Sequence, residues 1–492
     1  MATLTSPPPP ATPTTRAAGK VVRGPFTPES RTVRQTTFSV TLPVKPESRD
    51  RLAALITDFR HQVEQTAAGE IDQYERFFRN IPTLHFMSIT VFPSADYDPL
   101  LVIEVNIDGP PGVFWGQADA LIAEDLRAML RCCKRPRDAA AAMFDAVVAP
   151  GSRSMVAPYL EARSTRPSVF HHGNRGLGRQ RILAERALFA AIRTEFLTAQ
   201  DGAKSPYREV AAAEVQARLR TALLPAFPWL DTPAAPRIGA GDRIADWLRL
   251  LLFIAAVIAV LAFPGWLVSR IAGGHHDLLY ALLSIPVMLG LIVAWLRVLE
   301  KHDASHDAPA VDEAAIREMA QREDRIPQNH MGSIVLLKPG ILRTIIVHAG
   351  HLGLGLALRV TATDGYLGSM RTVHFAHWAF VDNGSRLMFL SNFDQSWESY
   401  LDDFIEKAHV GLTLAWGCGV GFPPTRFLVG EGATNGRQFK AWARHSMAAS
   451  QFWYSAYQDL TVNQIERNAL IADGLRRGSL DAQKAGRWIV LL

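Results

Sequence analysis

Cysteine is scarce in this chain: Cys132, Cys133 and Cys418 are the three present. So few, so spaced, they build no disulfide framework and match no zinc site, and they suit a reducing compartment. Charge of one sign is also lacking. The formal net charge is +5 over 492 residues. The basic residues are spread along the chain rather than gathered into a stripe, so nucleic acid is not an expected partner. The N-terminus, MATLTSPPPPATPTTRAAGKVVRGPF, has no apolar core of the kind a signal peptide needs. Its Pro, Thr and Ala content predicts a disordered tail over residues 1–33. No Ser-His-Asp order, Cys-His pair or metal cluster can be assigned.

Long hydrophobic runs, in contrast, are present. Leu250 to Ser269 and Leu278 to Leu296 contain no Asp, Glu, Lys or Arg. Each is long enough to cross a hydrocarbon core of about 30 Å. Trp247, Trp266 and Trp295 lie near their ends, where an aromatic belt would place them. The link RIAGGHHD is hairpin-sized. Arg237, Arg243 and Arg249 precede the pair, Arg297 and Lys301 follow it, and Arg270 is the one fixed positive charge in the turn. The positive-inside tendency therefore predicts a transmembrane hairpin over 243–300 with both flanks cytoplasmic.

The flanks repeat one another. TLHFMSITVFPSADYDPLLVIEVNIDG (residues 83–109) and TVHFAHWAFVDNGSRLMFLSNFDQSW (residues 372–397) both open Thr-apolar-His-Phe and close a second strand with Asn-x-Asp. Upstream of each lies an apolar strand, then Lys45-Pro46 or Lys338-Pro339, then a helical run. Downstream, each copy returns to a Gly-rich turn and Gly-Arg-Gln (residues 178–180 and 436–438) opening a helix. Each half reads β-α-β-β-α-β with additions, the ferredoxin-like order. One such sheet leaves a face uncovered, and two facing sheets bury both. The expected fold class is α+β: two ferredoxin-like domains forming a pseudo-dimeric α+β barrel or sandwich, separated by the hairpin. The expected boundaries are 34–235 for the first domain with a helical extension, 301–329 for a polar linker, 330–475 for the second domain and 476–492 for a C-terminal tail.

This element order and internal repeat resemble the dimeric α+β barrel superfamily. That superfamily includes the dye-decolourising peroxidases, which carry two ferredoxin-like domains in one chain. Their Gly-x-x-Asp-Gly motif supplies an Asp that assists peroxide cleavage. The nearest match here, Val105-Asn106-Ile107-Asp108-Gly109, has Val at the first Gly. The resemblance implies a haem cofactor and a peroxidase-like oxidoreductase activity on an apolar or membrane-borne substrate.

Several residues are candidates for a site. Glu104, Asn106 and Asp108 share a strand face and offer a base with two orienting groups, and Leu390 stands where Glu104 does in the other copy. The alternative for Asp108 and Asp394 is capping the helix that follows each. His85 and His374 recur at one place and are candidate cofactor ligands, or else strand-entrance histidines bonded to nearby backbone. His374 and His377 are three apart on a strand, so they are expected on opposite faces and no shared metal is expected. His348 and His351 share a helix face in the apolar stretch 341–360. That helix has three readings: against the bilayer or the hairpin, in a plain core, or carrying ligands. Arg175 and Arg179 sit in HHGNRGLGRQR, either an anion site at a helix N-terminus or a solvated basic turn. The turn lacks the Lys-Ser/Thr ending of a Walker A loop. The aromatics Trp397, Tyr400, Trp416, Trp442, Trp453, Tyr454 and Tyr457 read first as core. Two functions follow as expectations. One is a membrane-anchored module that binds a protein partner or lipid, with both large domains cytoplasmic. The other is the haem-dependent oxidoreductase.

Overall fold

The computed structural model describes residues 26–65, 75–94, 97–198, 206–303, 313–321, 326–362 and 370–492. The expected tail lies outside these residues as far as residue 25, and so does part of the 301–329 linker. The first half runs β1 (Gln35–Pro43), α1 (Arg49–Gln65), α2 (Glu75–Asn80), β2 (Leu84–Phe92), β3 (Leu100–Asp108), α3 (Pro111–Leu130), α4 (Ala141–Val148), α5 (Ala157–Ala162), β4 (Ser164–Thr165), β5 (Val169–His172) and α6 (Arg179–Thr198). The middle holds α7 (Ala212–Leu223), α8 (Ala240–Ile271), α9 (Asp277–Lys301) and α10 (Glu313–Ala320). The second half runs β6 (Gln328–Leu336), α11 (Ile341–Thr361), β7 (Val373–Val381), β8 (Arg386–Asp394), α12 (Trp397–Trp416), a small ribbon of β9 (Thr425–Arg426) and β10 (Gly430–Glu431), α13 (Gly436–Ser446), β11 (Met447–Ala448), β12 (Phe452–Ser455), α14 (Val462–Arg476) and α15 (Ala482–Ile489).

Two five-stranded antiparallel sheets form, in the orders β12-β2-β3-β1-β4 and β11-β6-β8-β7-β5. Their first three strands correspond one to one. One outer strand of each sheet is exchanged: β5 of the first half pairs with β7, and β12 of the second half pairs with β2, while β4 and β11 stay on β1 and β6 of their own halves. The pairings Phe170↔His377 and Trp453↔Ser88 knit the two halves through backbone hydrogen bonds. At the end of β5 the exchange needs a residue without a side chain, because a Cβ on Gly173 would lie 1.9 Å from the Val373 carbonyl oxygen.

The sheets face one another. Leu100 and Val102 of β3, Met388 and Leu390 of β8, and Phe92, Ala379 and Val381 of the hairpin strands form one buried cluster between them. Every residue of β2, β3 and β8 is buried, as strands covered on both faces must be. On the outer face of the second sheet, Trp378, Phe389, Phe393, Trp397, Tyr400, Trp416 and Trp442 pack as one core. Of the aromatics expected as core, Trp397, Tyr400, Trp416 and Trp442 lie here, whereas Trp453 is half-buried with its indole N–H on Asn392 and Tyr457 bonds His85.

Contacts divide the chain into two compact units. One comprises 28–183 and 235–469, with both sheets and the paired apolar helices. The other comprises, among the described residues, 26–27, 184–198, 206–234 and 470–492, where Leu188 and Ile192 of α6 join Leu219 of α7, Leu475 of α14 and Trp488 of α15.

Among the described residues, three helices, α8, α9 and α11, are long and apolar enough to cross a membrane by length and composition. Of their most apolar stretches, 6% of α8, 0% of α9 and 28% of α11 is buried. α8 and α9 form a hairpin whose close contact is set by Gly265, where a Cβ would lie 1.9 Å from the Tyr280 carbonyl oxygen. Ser284 Oγ donates to the Leu261 carbonyl at 2.9 Å, and Arg270 meets Asp277 across the turn at 2.7 Å. α11 runs across the base of this hairpin. Near its start, Leu342 and Val347 cluster with Leu296 of α9. Further on, Gly353 abuts Phe253 of α8. The six residues from Val347 to Gly353 span about 9 Å of helix, the separation of two packed helix axes.

Candidate functional site

The repeated Thr-apolar-His-Phe motif is a β-bulge. The β2–β3 register shifts between Leu84 and Phe86, and the β7–β8 register shifts between Val373 and Phe375, so His85 and His374 are the extra residues. A bulge breaks the two-residue alternation of a strand. His374 therefore turns to the inter-sheet side, its ring centroid 5.3 Å from that of Phe86 in the opposite sheet. His377 faces the same space, and the expectation that the two point to opposite faces is corrected.

Each bulge histidine meets the Asp that ends the partner strand. His374 Nε2 lies 2.7 Å from Asp394 Oδ1 in a hydrogen bond. His85 Nε2 lies 3.0 Å from Asp108 Oδ1 but off the hydrogen-bonding angle, and its Nδ1 pairs with the Tyr457 hydroxyl at 2.8 Å. The second oxygen of each carboxylate caps a helix. Asp108 Oδ2 accepts the Arg179 N–H at 2.7 Å, and Asp394 Oδ2 accepts the Val462 N–H at 2.8 Å. The helices served are α6 and α14, not α3 and α12, which follow the two Asp residues in sequence. A left-handed Gly109 (φ +90°) and Gln395 (φ +74°) turn the chain away before it re-enters a helix. Sequence adjacency was misleading because the strand ends point at helices formed much later in each half.

Glu104 is the centre of the polar part of the interface. Its side chain is wholly buried and four groups reach its oxygens. Asn106 Nδ2 and Asn392 Nδ2 donate to Oε1 at 3.0 and 3.1 Å. Ser88 Oγ donates to Oε2 at 3.2 Å, and His330 Nε2 stands 2.8 Å from the same oxygen. His330 Nδ1 is held by Ser450 Oγ at 2.6 Å. Asn392 is oriented by the Trp453 Nε1–H at 2.8 Å, and Asn106 by the Thr37 hydroxyl at 2.8 Å. Burial alone would raise the Glu104 pKa. The bond and charge of His330, the charge of His377 and the Asn106 donor outweigh it and hold the carboxyl below its usual range. Glu104 is thus an ionised buried carboxylate, stable because its lone pairs are filled.

His377 is the unsatisfied member. Its Nδ1 lies 3.6 Å from Glu104 Oε1, beyond hydrogen-bond reach, and neither ring nitrogen has a hydrogen-bond partner. Burial pushes its pKa down to about 4, with Glu104 pulling it back up and His330 opposing. The ring is neutral at pH 7, so one N–H and one lone pair are buried unpaired, a cost of about 1–3 kcal/mol for such a group. His172 is also held neutral by burial. Because the Thr37 hydroxyl proton goes to Asn106, the His172 Nε2 at 3.0 Å from that oxygen carries the proton.

The remaining candidates do not converge on this centre. Arg179 stacks over Phe78 at 4.3 Å and donates to its carbonyl. The α6 N-terminus, read as an anion site or a solvated basic turn, is filled by the chain's own carboxylates, Asp108 on Arg179 N–H and Glu29 on Gln180 N–H. Arg175 bonds Asp246 at 2.9 Å and the Arg359 carbonyl. His351 pairs with Ser168 Oγ at 3.0 Å and the Ala415 carbonyl at 3.1 Å. His348 lies flat on Phe380, ring centroids 4.1 Å apart. A haem needs an imidazole nitrogen aimed into open space. His85 and His374 instead sit against Tyr457, Phe86 and Phe375, with His85 Nδ1 on the Tyr457 hydroxyl and His374 Nε2 on Asp394, while His85 Nε2 and His374 Nδ1 are buried without a hydrogen-bond partner, and His351 has both nitrogens engaged. These side chains do not fit the group, and no step is derived through it. No cluster of His, Cys, Asp and Glu able to hold a metal occurs among the described residues.

His330 and His377 were missed as partners of Glu104. The repeat held the one available signal: His330 aligns with Thr37 and His377 with Ser88, so the second copy carries imidazoles where the first carries hydroxyls, opposite the one carboxylate. No protein-family model matches the chain, and no curated protein matches it.

Proposed function

We propose that the chain is a membrane-anchored module in which two ferredoxin-like halves close into a pseudo-dimeric α+β barrel and bind a protein partner or lipid at the bilayer surface. The observation that carries this reading is the α8–α9 hairpin, with 6% and 0% of its apolar stretches buried, rooted in a unit whose sheet faces are used up against each other and against helices. A contiguous apolar surface of this size marks a membrane or partner contact. The strand exchange and the one-to-one match of β1–β3 with β6–β8 support the pseudo-dimer. Arginines at both hairpin stems support a cytoplasmic position for the sheets, at the inner membrane. The full chain is expected to resist carbonate extraction from membranes and to float with vesicles, and a chain lacking residues 243–300 is expected to lose both. Carbonate-soluble full-length protein would overturn the anchor. All three native cysteines are buried, so a Gly274→Cys variant reports topology: labelling is expected from the outer side, and labelling solely from the cytoplasmic side contradicts it.

A second reading rests on His377. A neutral, unpaired imidazole 3.6 Å from an ionised carboxylate can take and return a proton. On this reading the inter-sheet centre handles a proton that Glu104 and His377 exchange when the imidazole closes the 3.6 Å gap, with Asn106 and Asn392 fixing the carboxylate. Its test is activity loss in Glu104→Gln with folding retained.

A further inference from the structure

A cavity of about 320 Å³ opens beside the base of the apolar hairpin, lined by Arg34, Arg166, Arg249 and Arg359 together with Phe170 and Leu352. Its walls come from four places in sequence: the approach to β1, the β4–β5 turn, α8 and α11. The charge is poorly matched. Asp246 is the one carboxylate within ion-pair distance of these arginines among the described residues. It stands 3.5 Å from Arg249 and 3.7 Å from Arg359, while its closest partner is Arg175 at 2.9 Å. Arg34 and Arg166 are exposed and have no acidic side chain in range among the described residues. Guanidiniums gathered around one space repel unless an anion lies among them, and their planar forks suit phosphate oxygens.

The position is as informative as the charge. Arg249 immediately precedes the uncharged run of α8, and Arg359 ends the apolar part of α11. Leu352, on the same wall, is 52% exposed. The cavity thus sits where charged surface gives way to apolar surface. Gly355 keeps α11 close to β5, since a Cβ there would lie 2.9 Å from the Ser168 carbonyl oxygen. Arg359 is steadied over the Phe170 ring at 4.9 Å. The volume is at the low end for small-molecule pockets, enough for a headgroup and not for a whole lipid.

We infer that this cavity is a binding site for the phosphate-bearing headgroup of an anionic lipid in the leaflet on the side of the sheets. The inference rests on the membrane-anchored reading above. It is tested with the full chain in neutral detergent, titrated with dioctanoyl phosphatidate, dioctanoyl phosphatidylcholine and glycerol 3-phosphate. Phosphatidate is expected to bind and phosphatidylcholine not. Arg34→Gln with Arg166→Gln is expected to weaken phosphatidate about 25-fold, roughly fivefold per arginine. Neither residue has an acidic partner whose loss would unfold the chain, and an unchanged melting temperature confirms this. If the pair misfolds, Arg249→Gln alone is expected to give about a fivefold loss. Equal binding of both lipids, or unchanged affinity in the folded variants, overturns the site. Glycerol 3-phosphate binding as tightly as phosphatidate overturns the lipid source in favour of a soluble phosphate. The two readings fail separately: protein that enters phosphatidylcholine vesicles but shows no anionic preference loses the site, and protein that never enters a vesicle loses the anchor.

Discussion

At the scale of the residue, the interface between the sheets turns on one asymmetric substitution. Glu104 in the first copy stands where Leu390 does in the second, and the second copy answers with His330 and His377. Both shifted groups make acid destabilising. His377 has a folded pKa near 4 against 6.5, so between those values the unfolded chain binds the extra proton and stability falls with pH. The Glu104 pKa is depressed from 4.5, so its contribution is present above 4.5 and is lost as pH falls further. The wild type is expected to lose stability from about pH 6.5 downward. His377→Asn is expected to remove about 1 kcal/mol per pH unit of that slope, measured by thermal unfolding in detergent at pH 7, 6 and 5. An unchanged slope would place the acid sensitivity elsewhere, for instance at His171, which burial also pushes to about 4. Asp394 is a second residue-scale case. Asp394→Ala removes both the His374 bond and the Val462 cap, and a loss of about 1–3 kcal/mol is expected.

At the scale of the element, the sequence repeat predicted strands and helices well because period-two and period-3.6 patterns are local. The Lys-Pro junctions end β1 and β6 as expected, and the Asn-x-Asp strands end at residues 108 and 394. The bulges were not readable. Their sequence alternates like an ordinary strand, and the extra residue exists in the pairing, not in the pattern. The hairpin of α8 and α9 is the most legible element, since an uncharged run of that length has few other homes. Its packing is testable at Gly265. Gly265→Leu forces a side chain into the Tyr280 backbone. It is expected to separate the two helices and lower the melting temperature in detergent, while Gly290→Leu, where a Cβ meets nothing within 4 Å, is expected to be neutral. Equal effects from both would mean that the close contact is not what holds the hairpin.

At the scale of the whole molecule, the repeat is completed by exchange. Neither half owns its full sheet: β5 and β12 each finish the sheet of the other half, so the two copies share one interior. The candidate site inherits this. Glu104 is contributed by one half and its imidazoles by the other, so local pattern shows the carboxylate and its Asn106 neighbour on one strand face but not the partners that only the facing sheet supplies. The arginine cavity is equally composite and gave no local signal, because Arg34, Arg166, Arg249 and Arg359 belong to four separate stretches of chain. The sequence by itself determined the duplicated β-α-β-β order, the apolar hairpin between the copies and the unpaired status of Glu104 in the repeat, all properties of composition and spacing. The tertiary structure alone decided which strands exchange, which way the bulge histidines point, which helices the two Asp residues cap and which arginines meet. Those depend on contacts between residues far apart in sequence, fixed by burial and hydrogen-bond pairing and not by local pattern.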